Sequence, residues 1–291
     1  MTVTRMDLVA AAARRMNQWR QGLGRWWPGA QVPHGLVIYE GPSRLDGQPV
    51  VVVVTGLVVG SRNRKTADLL QVYILPRDVS PPAAVKSGAD AAVCGDCKHR
   101  PSEGGVCYVN IGWGPMMVWR AWQVGKSYQP ADPERAAQVL AGSSVRFGAW
   151  GDPAAVPLEV WRPLLPDLYA WTGYTHQWRA LDSDWHWLMA SVDSVPEREA
   201  AKARGWRTFR VKEPEDGLLP GERYCLADEM GIPCAKCRGC DGNGHGVRLD
   251  YAIDYHGPDH RGAWRERQGQ LFGTPIGTDW NRLEPLELGS K

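Results

Sequence analysis

All seven cysteines of this chain fall into two groups: Cys94, Cys97 and Cys107 in "CGDCKHRPSEGGVCY", and Cys225, Cys234, Cys237 and Cys240 in "CLADEMGIPCAKCRGC". No other feature restricts the fold so strongly, because any arrangement of the chain has to bring each group together. Under reducing conditions clustered thiols serve as metal ligands or redox centres more readily than as structural disulfides. The second group has a C-x2-C-x2-C run with a fourth cysteine nine positions upstream. Three thiolates from one tightly wound loop, closed by a fourth, match the way short loops wrap iron-sulfur clusters, and four thiolates also suit tetrahedral zinc.

A competing zinc reading uses "CRGCDGNGH", in which Cys237, Cys240 and His245 have the spacing of a zinc knuckle, a module that binds single-stranded nucleic acid. The knuckle's last cysteine would stand where the chain has Asp250, and Cys225 and Cys234 would be left without a role. The all-cysteine set is therefore preferred, with His245 a loop or supporting residue. The first group lacks a fourth cysteine. His99 completes a zinc site there only if the loop folds back sharply, and Asp96 is no better placed. Alternatively three ligands are the whole set, as catalytic zinc keeps one open position, and a four-iron cluster so held has one iron free to bind a substrate or cofactor.

With 43% hydrophobic and 23% charged residues, the 291-residue chain has the composition of a globular protein with a substantial core. A net charge of +2 does not call for a polyanionic partner, although "ARRMNQWRQGLGRWW" and "GSRNRKT" permit nucleic acid. The second stretch is not a phosphate loop, because Arg64 and Val59 stand where that motif needs glycine. No leader or membrane span is expected: "LVAAAA" is cut short by Arg14 and Arg15, and "VVVVVTGLVVG" is about half the ~20 residues that cross a bilayer. The expected location is the cytoplasm. Fifteen tryptophans against three phenylalanines read mainly as core, with "YTHQWRALDSDWHW" the place to look for a pocket that takes a flat ligand.

Residues 6 to 20 predict an amphipathic opening helix, and "GLVIYEGPSRLDGQPVVVVVTGLVVG" a β-hairpin, followed by a strand in "LLQVYILP". From Val145 onward strands and helices alternate: "VRFGAWGDP", "PLEVWRPLLPDLYAW", "YTHQW", "WLMASVDS", "PEREAAKARG" and "WRTFRV". The rhythm predicts an α/β protein with a parallel sheet, either a partial βα barrel or a doubly wound layer. The partial βα barrel is the form expected, with an N-terminal helix and β-hairpin and a C-terminal cysteine-rich metal-binding loop. The expected segments are 1–90 (helix and β-rich), 91–215 (βα core with the three-cysteine site) and 216–291 (cysteine-rich extension). Asp152, Tyr174 to Gln177, and Asp193 with Ser194 fall near the C-terminal ends of three successive predicted strands, the edge where such sheets assemble active sites. "DYHGPDH", with Asp254, His256, Asp259 and His260, reads as a strand end and turn rather than a second metal site.

Taken in order, "NRKT", "CGDC...CY", "WGDP", "YTHQW" and the late cysteine loop resemble the radical S-adenosylmethionine superfamily, and more narrowly phage and actinobacterial proteins of the gene-product-88 type. The spacing here, CxxC and then Cys107 after nine residues, is a variant of the superfamily's CxxxCxxC. The resemblance implies a 4Fe-4S cluster on Cys94, Cys97 and Cys107 that binds S-adenosylmethionine through its open iron and cleaves it reductively to a 5'-deoxyadenosyl radical. It also implies an auxiliary cluster on the four later cysteines and an electron donor as partner. Tyr108, Gly151, Asp152 and Tyr174 would then contact the cofactor, and His176, Asp152 and Asp193 would serve the chemistry. The substrate would be a nucleoside, a nucleic-acid base or another small molecule. The rival reading is a non-catalytic zinc protein that binds nucleic acid or a protein partner, and a third is a hydrolase with Asp152 and Asp193 as paired carboxylates.

Overall fold

Five consecutive valines, Val50 to Val54, are completely buried. A strand covered on both faces reads as an unbroken β-branched run, and β2 (Pro49–Thr55) lies between two antiparallel neighbours, β1 (Gly35–Pro42) and β3 (Leu70–Pro76). The first of these pairs is the predicted hairpin. The computed structural model describes residues 5–60, 63, 65–105, 107–243 and 249–254, with side chains described from Arg14 onward. His245, His256, Asp259 and His260 lie outside the described residues.

Seven further strands complete the sheet: β4 (Tyr128–Pro130), β5 (Ser144–Trp150), β6 (Ala170–Thr175), β7 (Met189–Val192), β8 (Thr208–Lys212), β9 (Glu222–Tyr224) and β10 (Asp250–Asp254). Their order is β4-β1-β2-β3-β5-β6-β7-β8-β10-β9. Only β2 runs against its neighbours, and every other pairing is parallel. The fold is α/β around a mostly parallel sheet.

The helices are α1 (Arg5–Gly22), α2 (Pro81–Ser87), α3 (Ala91–Cys94), α4 (Gly114–Val124), α5 (Pro133–Leu140), α6 (Leu158–Trp161), α7 (Val195–Ala203), α8 (Leu226–Glu229) and α9 (Cys234–Cys237). Proline in the first turn starts α2, α5 and α7, and Asp132 caps α5 by accepting the Arg135 N–H at 2.7 Å. No helix among the described residues is long and apolar enough to cross a membrane.

Two expectations need correction. The helix read over "PLEVWRPLLPDL" is one α-turn, α6, and a 3-10 turn at Leu165–Asp167. Pro163 and Pro166 each remove a donor and restrict the residue before them. The strand read at "YTHQW" begins earlier, at Ala170, and ends at Thr175, so His176 and Gln177 lie just past it. The tryptophans of that region, Trp178, Trp185 and Trp187, belong to the core; Phe147 meets Trp161 and Trp187 edge to face at 5.5 and 5.0 Å.

Asp250, the position a zinc knuckle would fill with cysteine, is buried at the start of β10. Its Oδ1 accepts the Thr208 N–H at 3.0 Å, and its Oδ2 accepts from Lys202 at 2.6 Å and Arg198 at 3.2 Å. Next to it Arg210 forms a two-pronged pair with Glu222, both bonds 2.8 Å. The Thr208–Asp250 hydrogen bond ties β10 to β8, the ion pairs of Asp250 tie β10 to α7, and Arg210–Glu222 ties β9 to β8, so the cysteine-rich segment is woven into the sheet.

Candidate functional site

A cavity of about 240 Å³ opens against the sheet. Side chains project alternately to the two faces of a strand, and the cavity takes such alternate residues: Arg146 from β5, Thr172 and Tyr174 from β6, Ser191 from β7, Phe209 and Val211 from β8, and Ile253 from β10. Cys94, Cys97, Cys107, Cys225 and Cys234 also line it, which brings both cysteine groups to one space. Tyr108, Gly151, Asp152 and His176 are there too; Asp193, Cys237 and Cys240 are not among the lining residues.

The first group sits on a loop that folds back on itself. The Cys97 N–H donates to the Cys94 carbonyl at 3.2 Å, and the Cys107 N–H to the His99 carbonyl at 2.9 Å. Gly105 permits this reversal, because a Cβ there would stand 2.4 Å from the His99 carbonyl carbon. Buried Asp90 braces the loop by accepting from Arg100 Nη2 at 2.9 Å and from the Ser102 hydroxyl at 2.7 Å, while Gln177 Nε2 donates to the Cys94 carbonyl at 3.1 Å. The loop does fold back sharply, as a His99 ligand would require, yet the His99 ring turns to Asp193 instead, with Nε2 2.9 Å from Oδ1.

The second group starts where β9 ends. The Cys225 N–H donates to the Ala252 carbonyl at 2.8 Å, the Cys234 N–H to the Lys65 carbonyl at 2.7 Å, and the Cys240 carbonyl accepts the Gly173 N–H at 3.2 Å. Cys240 is buried against Tyr251, Met189 and Tyr174.

Burial raises the thiols of both groups: Cys97 up to about 12, Cys107 and Cys234 up to about 11, and Cys94, Cys225 and Cys240 upward as well. Like charges add to this within each group, since Cys94 faces Cys107 and Cys97, and Cys234 faces Cys225 and Cys237. Such thiols ionise only with a compensating cation, the condition under which metal binding displaces their protons. The donor set therefore fits a thiophilic metal centre. No three of the seven sulfurs, all among the described residues, lie mutually within 4.8 Å. Thiolates at ~2.3 Å from one tetrahedral zinc stand about 3.8 Å apart, whereas a four-iron cube takes its thiolates at separate corners, further from one another.

Asp152 follows β5, and its position depends on Gly151. At φ +86° that residue has left-handed backbone, and a Cβ would strike the Ile74 carbonyl at 2.6 Å. Both Asp152 oxygens are engaged: Oδ1 accepts the Ala154 N–H at 3.0 Å and Oδ2 the His176 N–H at 2.8 Å. Burial nevertheless pushes its carboxyl up to about 6, while burial takes His176 down to about 4. Burial would raise Asp193 too, but the His99 hydrogen bond and the charges of His99, His176 and Lys98 prevail and hold it low. Asp152 and Asp193 thus have different hydrogen-bond partners, the Ala154 and His176 N–H groups for the first and His99 for the second.

Arg146 is a site residue that the sequence reading did not single out. Its Nη2 donates to the Tyr108 hydroxyl at 3.1 Å, and its charge favours the thiolates of both Cys107 and Cys234. An arginine on a β-strand is unremarkable in sequence; only the topology shows it between two cysteine groups 118 positions apart at their nearest members, Cys107 and Cys225. Compared with family models, with curated proteins and with solved structures, the chain finds no match.

Proposed function

We propose that this protein is an iron-sulfur enzyme of the radical S-adenosylmethionine type. In this reading Cys94, Cys97 and Cys107 hold a four-iron cluster that has one iron without a protein ligand, and Cys225, Cys234, Cys237 and Cys240 hold a closed one. The observation that carries it is the convergence of both groups, with Tyr108, Gly151, Asp152, Tyr174 and His176, on a single cavity. A cluster bound at the first group would supply one-electron chemistry at an iron open to S-adenosylmethionine.

The chain's own residues define what surrounds that chemistry. Phe209, Val211 and Ile253 give the cavity an apolar wall that excludes water. Arg146, Thr172 and Ser191 offer a cation and two hydroxyls to a carboxylate, a ribose or a phosphate. Asp152 fixes the backbone of His176 and so the place of its imidazole at the cavity wall. The cavity on the faces of β5 to β8 and β10 also favours a curved, partly closed sheet, the partial βα barrel. A cytoplasmic setting, where thiols stay reduced, suits the same reading, and the substrate is a nucleoside or another small molecule that fits beside the cofactor.

The test is the composition of the anaerobically purified protein. Iron and acid-labile sulfide in near-equal amounts, with broad visible absorbance, are expected. A colourless protein carrying stoichiometric zinc would overturn the reading in favour of a non-catalytic zinc protein.

A further inference from the structure

Among the described residues, the set of three or more His, Cys, Asp or Glu side chains whose ligand atoms all lie within 4.8 Å of one another is His99, His176 and Asp193. They come from three elements: the first cysteine loop, the residue after β6 and the residue after β7. His99 Nε2 is 2.9 Å from Asp193 Oδ1, and the two imidazoles meet edge to face with centroids 5.8 Å apart. His176 Nε2 is buried and has no hydrogen-bond partner among the described residues, an arrangement that costs stability unless something binds that nitrogen.

The surroundings hold this group in place. The backbone N–H of His176 donates to Asp152 Oδ2 at 2.8 Å, and that of Asp193 to Glu197 Oε2, also at 2.8 Å. Lys98 Nζ lies 3.1 Å from Asp193 Oδ2 and so occupies one carboxylate oxygen, leaving Oδ1 toward the histidines.

We infer that His99, His176 and Asp193 form a mononuclear site for a divalent first-row transition ion, separate from both cysteine groups. Two imidazoles and one carboxylate are a donor set for ferrous iron, manganese or zinc that leaves coordination positions open. An ion here takes the place of the proton between His99 Nε2 and Asp193 Oδ1. Since His99 and His176 line the cavity, the ion sits at its wall and binds an oxygen-bearing group, a carboxylate or phosphate, of the molecule held inside. This site requires no thiolate and does not depend on the iron-sulfur reading.

Mn(II) is the probe, because it prefers nitrogen and oxygen donors and is the weakest competitor for thiolates. Titration of the full chain, followed by the electron paramagnetic resonance of the free aqueous ion, should show one Mn(II) bound per chain. Asp193→Asn and His176→Gln should each weaken binding by at least about 10-fold, with circular dichroism confirming that they fold. If His176→Gln does not fold, Asp193→Asn decides alone. The triple variant Cys94→Ser/Cys97→Ser/Cys107→Ser should retain Mn(II) while losing the iron of the first group, about half the total, which separates failure of this site from failure of the cluster. A folded wild-type protein that binds no Mn(II), or binding that survives the loss of Asp193, would show His99 and Asp193 to be an ion pair only.

Discussion

The Cys94 group sits on a self-folded loop with Asp90, Asp152 and Asp193 around it, whereas the Cys225 group is tied to β10 and β6 and has Lys65 as a neighbour; Arg146 faces both groups, through Cys107 and Cys234. Acidic neighbours oppose thiolate formation and basic ones favour it. On the proposed reading the second group would hold a closed centre tied into the sheet. All three cysteines of the first group line the cavity, whereas Cys237 and Cys240 of the second do not. On that same reading, this difference would separate a structural centre from a reactive one.

The sharpest break in this comparison is to remove one ligand from each group. Cys240→Ser should cost on the order of 4 kcal/mol or more, because metal binding there is also folding energy. Cys94→Ser should cost no more than about 2 kcal/mol and abolish S-adenosylmethionine cleavage. Denaturant unfolding of both anaerobic proteins checks the pair; equal losses of stability would erase the distinction. Next in size are the ion pairs that brace each side. Glu222→Ala takes the two-pronged carboxylate from buried Arg210 and one of the carboxylates around Arg198, which keeps Asp250, and should cost roughly 3–5 kcal/mol. Asp90→Ala leaves Arg100 its bonds to the Gly88 and Gly95 carbonyls and should cost about 1–3 kcal/mol.

A pH profile sharpens the contrast in charge. With its folded-state carboxyl raised to about 6 from 3.8, Asp152 binds its proton more tightly in the folded than in the unfolded protein. Its contribution to stability is present below pH 4 and is lost as pH rises through about 6, roughly 3 kcal/mol in all. In metal-free protein, Asp152→Asn should flatten that decline between pH 4 and 7, as thermal unfolding at successive pH values would show. An effect comparable to that of Asp90→Ala belongs to Gly105→Ala. The added methyl pushes on the His99 backbone and should cost about 1–3 kcal/mol while lowering iron at the first group alone, read by iron content per chain.

Much of this was legible in local sequence. The valine run fixed β2, Pro-led starts marked α2, α5 and α7, and the turn residues after β5 and β7 placed Asp152 and Asp193 at strand ends. Helical periodicity misled at residues 158–168, where two prolines outweigh the apolar spacing. Pairings between distant segments were hidden: Arg146 between the cysteine groups, Asp250 holding β10 to β8, and His99 turned toward Asp193. None leaves a periodic trace, because each depends on which strands the parallel sheet sets side by side. The clustering of cysteines marked two groups, but not that members of both would line one cavity.

The central claim is that the three-cysteine site is open and the four-cysteine site closed. Electron paramagnetic resonance of the anaerobically isolated, reduced protein, recorded with and without S-adenosylmethionine, tests it most directly. Two cluster signals are predicted, one of which shifts on addition of S-adenosylmethionine and is missing in Cys94→Ser. The absence of any iron-based signal, or signals that S-adenosylmethionine leaves unmoved, would contradict the account.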